Sequence, residues 1–206
     1  MAKDENAHDL DELVQHSLGR DGIRPILDWV ARFSYWVDPR VVKAVPLVFP
    51  QTRRARPKEQ KRSIVDGFAV WANEPASKAF WTAYGASPSS HTPSDYRNFV
   101  LCHIYEGSAH DPSHFTRLAN LTVFPKCLES FSEWGPVLDV LKWQSGLLYG
   151  YTGPGCGHPK RPSYVPPRWE GVRWLSPASL AAVIDSLKTM AERRPRYYSR
   201  KSDKEN

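Results

Sequence analysis

The sequence predicts an α+β fold: a mostly helical chain around a central β-hairpin-helix unit, with a Pro/Gly-rich C-terminal wrap and a C-terminal helix. Three observations carry this. Apolar residues recur at helical spacing near the start and near the end of the chain. In the middle, two short apolar runs, "NFVLCHIY" and "NLTVF", flank a polar loop as the strands of a hairpin do. Between hairpin and end, Gly and Pro crowd residues 150–170, where neither helix nor central strand can persist.

Taken in order, "DLDELVQHSLG" at 9–19 reads as a short helix stopping at Gly19. A second helix over 23–36 carries Ile23, Ile26, Leu27, Val30, Phe33 and Trp36 on one face, with Asp21 as its N-cap. A third, short helix at 39–45 has Pro39 in its first turn. "SIVDGFAVW" at 63–71 fits a strand or a helix start equally well. "EPASKAFWTAYG" at 74–85 is a helix with Pro75 near N1 and Gly85 as its stop, followed by a Ser/Pro loop to Tyr96.

"NFVLCHIY" has apolar residues on both faces, as an interior strand would. Pro125 ends the second strand, and a helix follows over 126–149, interrupted at Gly135-Pro136, with Cys127 on its apolar side. "SPASLAAVIDSLKTMAERR" has the clearest helix signature: Ser176 as N-cap, Pro177 at N1, and a core stripe of Leu180, Val183, Ile184, Leu187 and Met190. The organisation is then a helical segment 1–50, a basic connector and helix 51–97, the hairpin-helix unit 98–150, and the wrap, helix and basic tail 151–206, in one compact domain.

With 206 residues, 41% of them hydrophobic, the chain can bury a core. No apolar run approaches the ~18–20 residues that span a bilayer, and the N-terminus is acidic and polar, so the expected location is the cytoplasm, with no membrane partner. Three cysteines, an odd and low number, do not make a disulfide framework. The net charge of +6 is concentrated. Residues 52–62 hold six cations, Arg53, Arg54, Arg56, Lys58, Lys61 and Arg62, against one acid, and the tail from Arg193 holds six against two. Such clusters suit a polyanion, DNA first, with phosphates as the contacts; as solvated linker and tail they would carry no function. Trp169 and Trp174, next to arginines, can stack on bases or pack the wrap onto the body.

The hairpin carries the chemistry. Its first strand ends at His103, its second opens at Asn120, and Glu106, His110, Asp111 and His114 lie between. This order of strand, histidine, loop, Asn-Leu strand and helix resembles the HNH, or ββα-metal, endonucleases over residues 98–134. The resemblance implies that His103 is the general base, that Asn120 orients it, and that Glu129 on the following segment is a metal ligand where the family has histidine. Cys102 stands where the family has an acid before the base, and there is no paired-cysteine zinc knuckle. The implied cofactor is a divalent metal, Mg or Mn rather than Zn, since carboxylates suit both; Glu106, His110, Asp111 and His114 are alternative ligands. A histidine takes a proton from water near neutral pH, and a non-titrating amide can hold loop and imidazole in place.

The expected function is thus a metal-dependent DNA endonuclease, of restriction or defence type. Two other classes compete: a non-catalytic nucleic-acid-binding protein using the same cations, and a structural or interaction protein docking through the helix at 176–194, with a homodimer as one such assembly. A weaker cluster, Cys156 and His158, would need Cys102 or Cys127 to complete a zinc site.

Overall fold

Ser34 to Val37 leave the first helix as extended chain and are gripped on both sides. Tyr35 pairs antiparallel with Val123, and Trp36 pairs parallel with Val172. The computed structural model describes residues 10–48, 52–53, 63–65, 68–71, 74–86, 97–105, 107–108, 111 and 113–202.

Helix α1 (Leu10–Phe33) is one helix where two were expected. Gly19 does not stop it, and neither Asp21 nor Pro25 marks an end. A helical Gly costs only ~1 kcal/mol, and an interior Pro bends a helix that packing holds. Leu27, Val30 and Ala31 are buried, whereas Phe33 is exposed and Trp36 lies beyond the helix end. The short helix α2 (Pro39–Ala44) starts at Asp38, which caps it by accepting from the Arg40 N–H at 2.9 Å.

Asp38 does more than cap. It is buried, pairs with the Arg40 guanidinium at 2.7 Å, and accepts the Leu175 N–H at 2.9 Å. Arg40 reaches on to the Leu175 carbonyl. Burial alone would raise the Asp38 carboxyl; the bonds from Arg40 and Leu175 outweigh it and hold the group below its ordinary range.

"SIVDGFAVW" resolves as strands. β1 (Thr52–Arg53), β2 (Ser63–Val65) and β3 (Phe68–Trp71) form a sheet in the order β1-β3-β2, with β1 parallel and β2 antiparallel to β3. Helix α3 (Glu74–Ala83) buries Ala76, Ala79, Phe80 and Trp81, and Gly85 takes a positive φ of 87° just past its end.

The central hairpin pairs β4 (Phe99–His103) with β5 (Leu121–Pro125), antiparallel, Cys102 opposite Thr122 and His103 opposite Leu121. The interior strand is β5, not β4. Residues Leu121 to Phe124 are all buried, because β5 has β4 on one side and the Tyr35 bridge on the other. Most of β4 is only half-buried.

A 3-10 turn over Lys126–Phe131 follows, and α4 (Gly135–Tyr149) begins at the Gly-Pro pair. Cys127 is exposed on that turn; Leu128 is the residue it buries. Gly150, at φ 63°, terminates α4. Residues 150–176 are irregular, and α5 (Pro177–Ser202) starts after Ser176, whose hydroxyl accepts the Ser179 N–H. Val183 and Leu187 are buried, with Leu180, Ile184 and Met190 packed beside them. Buried side chains from Leu27 to Leu187 form one cluster.

Candidate active site

The hairpin loop leaves β4 at His103 and returns through a short 3-10 turn, Leu118–Asn120. A loop this long needs partners for its backbone polar groups. Asn120 supplies them. It is fully buried. Its Oδ1 accepts the Tyr105 N–H at 3.2 Å, and its Nδ2 donates to Ser108 Oγ at 2.8 Å and to the His114 carbonyl at 3.2 Å. Ser108 in turn donates to the Tyr105 carbonyl. The amide thus ties three points of the loop together. It orders the loop and makes no bond to the His103 ring.

His103 is held by different groups. Its Nε2 lies 3.0 Å from the Phe115 carbonyl, and its ring stacks on Phe115 with centroids 5.3 Å apart and planes 13° from parallel. A carbonyl only accepts, so Nε2 carries the proton and Nδ1 carries the lone pair. In the neutral ring Nδ1 is then the nitrogen that can accept a proton. Asn120 acts on His103 only indirectly, since it fixes the carbonyl of His114, the neighbour of Phe115.

The position before His103 is chemically quiet. Cys102 is buried, and its thiol lies 3.5 Å from the carbonyls of His103 and Ser132. Burial pushes this thiol up to about 12. A buried, protonated thiol does not supply the carboxylate expected there.

Glu129 is exposed on the 3-10 turn after β5. Asp111 is engaged within the loop, accepting the Ser113 N–H at 2.8 Å. Among the described residues no group of three or more His, Cys, Asp or Glu is placed to hold a metal ion. Among the described residues Cys156 and His158 form no such group with Cys102 or with Cys127. Glu106 and His110 lie outside the described residues. So do Arg54, Arg56, Lys58, Lys61 and Arg62; Arg53 is in β1. Trp169 packs edge-on against Trp36, ring centroids 5.8 Å apart, so it belongs to the body; Trp174 is 68% exposed.

Sequence reasoning missed the partners of His114. Its Nδ1 lies 2.5 Å from the Tyr151 hydroxyl, and its Nε2 lies 3.9 Å from Asp111. The nearby carboxylate favours the proton on Nε2, so the Tyr151 hydroxyl donates to Nδ1. Burial lowers His114, with Asp111 opposing and Arg117 assisting, so the ring is neutral near pH 7. Burial also pushes the Tyr151 hydroxyl up. Arg117 lies over the Tyr151 ring, 5.7 Å from its centroid. Tyr151 stands in "GYTGPG", a segment whose Gly and Pro content announces only irregular chain. The pairing spans loop and wrap, and no local pattern encodes it. No family model, curated protein or solved structure matches the chain.

Proposed function

We propose that the protein is an HNH-like endonuclease that hydrolyses phosphodiester bonds, with DNA as substrate and His103 as general base. One observation carries the reading: the Nε2 bond to the Phe115 carbonyl sets the lone pair of His103 on Nδ1, in a ring clamped by stacking. In the reaction, Nδ1 takes a proton from water as the water oxygen bonds to phosphorus. The bond from phosphorus to the leaving oxygen breaks, and that oxygen is protonated from solvent. Asn120 keeps the loop that carries Phe115 in one shape. The cations at 52–62 serve as sequence-independent phosphate contacts. A Mg or Mn requirement belongs to the proposal but has no ligand set among the described residues.

The test is nicking of supercoiled plasmid with Mg²⁺, with Mn²⁺ and with EDTA, by the native chain and by His103→Ala, with Tm measured on the same preparations. A positioned base contributes ~10²–10⁴ in rate, so the variant should bind DNA and cleave at least about a hundredfold more slowly. Cleavage at the normal rate per folded molecule would remove His103 from catalysis. The second reading is a non-catalytic DNA-binding protein that uses the cations at 52–62. It predicts no nicking under any metal condition while binding persists.

A further inference from the structure

Beside the hairpin loop, α2, the Leu118–Asn120 turn and the end of α4 line an open cleft of about 610 Å³. That is within the usual size of a small-molecule site, roughly 300–1,000 Å³. Its polar lining is cationic or neutral. Lys43 and Arg117 face it together with the neutral His114 and Tyr151, and among the described residues no carboxylate lines it. Val42 and Leu148 supply an apolar wall.

Among the described residues neither Lys43 nor Arg117 has an acidic partner. Arg117 spends its Nε on the Ser113 carbonyl, 3.1 Å away, and its face on Tyr151, which together fix the guanidinium plane while its terminal nitrogens keep their donor capacity. The Asn120 amide and the His114–Tyr151 bond brace the wall behind them. A braced arginine, an exposed lysine and an apolar wall suit an anion with a flat apolar part, and a planar guanidinium matches phosphate oxygens best.

We infer that this cavity is a phosphate subsite that takes a nucleotide, its phosphate on Lys43 and Arg117 and its base against Val42 and Leu148. The inference goes beyond the nuclease reading and does not need it. The nucleotide is either a free monophosphate or one unit of a nucleic-acid strand.

The experiment is calorimetric titration of the full chain, at fixed ionic strength, with deoxyadenosine monophosphate, deoxyadenosine and inorganic phosphate. The monophosphate should bind saturably and more tightly than the nucleoside. Lys43→Gln and Arg117→Gln should each weaken it about ten- to a hundredfold, the range for losing a hydrogen bond between charged groups. Lys188→Gln, on the exposed side of α5, should not. No saturable binding, equal binding of nucleoside and monophosphate, or native affinity in both cavity variants would overturn the inference. Should Arg117→Gln not fold, Lys43→Gln decides, since that side chain is exposed. A single-stranded oligonucleotide that displaces the monophosphate identifies the source as a strand; retained monophosphate binding in its presence identifies a free nucleotide. His103→Ala should leave this affinity unchanged, so cleavage that persists at the normal rate in that variant, with monophosphate binding retained, counts against the nuclease reading alone.

Discussion

Two buried polar side chains, Asn120 and Asp38, each order a stretch of irregular chain, and they do it by different physics. Asn120 is neutral. It gives two hydrogen bonds and accepts one, all within the hairpin loop. Asp38 is charged and only accepts, joining the start of α2 to Leu175, far away in the chain. A neutral hub holds its loop in the same shape at any pH. A charged one strengthens each bond it makes and ties the joint to proton concentration. The bonds that Asn120 makes in the hairpin loop are thus insulated from pH, and the joint that Asp38 makes with Leu175 is not.

Exchanging the chemistries is the sharpest way to break this contrast. Asn120→Asp keeps the shape but buries a carboxylate without a cation and turns it against the His114 carbonyl. It should cost about 3–5 kcal/mol at pH 7. The loss should shrink on acidification as the new carboxyl takes up a proton. Urea unfolding at pH 7 and pH 4 would show it, and equal losses at both would mean the loop relaxes around the charge.

Asp38→Ala comes next. It removes an N-cap and leaves the Leu175 N–H without its acceptor, at about 2–4 kcal/mol. A loss under 1 kcal/mol would show that the joint is held by packing. Asp38 also carries a signed pH dependence. Its folded pKa lies below that of an ordinary aspartate, so its contribution is complete above the unfolded value and disappears as pH falls through the folded pKa. Asp38→Asn should therefore flatten the fall in stability below about pH 4. An unchanged acid limb would place the acid sensitivity elsewhere.

His114 adds a smaller effect of the same sign at higher pH. Its folded pKa is lowered from 6.5, so the unfolded chain binds more protons below that value and stability declines as pH falls through the folded pKa. His114→Gln should remove that decline. Smallest of all is Ser108→Ala. Asn120 Nδ2 keeps its bond to His114, so about 1 kcal/mol should be lost. A larger loss would make Ser108 an equal partner in the hub.

How far the sequence reveals all this depends on the range of each interaction. The hairpin strands, the Gly-Pro start of α4 and the Ser176 cap of α5 are read from neighbouring residues, because turn and cap chemistry acts within a few positions. Asn120 as a loop-holder was legible from its place at the strand start; its lack of contact with the His103 ring was not, since that depends on where Phe115 turns its carbonyl. The continuity of α1 through Gly19 and Pro25 overrides local propensity by packing. The burial of β5 over β4 depends on Tyr35, and the work of Asp38 depends on Leu175; both partners are remote in sequence. Cys127 was expected inside because its neighbours look helical, but a 3-10 turn faces different residues inward than an α-helix does.

Gly171 has a consequence for how the chain is made. A side chain there would overlap the Ser34 carbonyl oxygen, and its own carbonyl receives the Trp36 N–H at 3.0 Å. The strip that seals the outer edge of β5 is therefore itself sealed only by chain that leaves the ribosome much later. During synthesis the N-terminal part must wait, with Trp36 lacking its backbone acceptor, until the wrap emerges. Long loops close slowly, and unsealed edges invite other chains. Any side chain at position 171 would prolong that wait, so the yield of soluble chain from a Gly171→Val gene should fall by more than the stability of whatever folds.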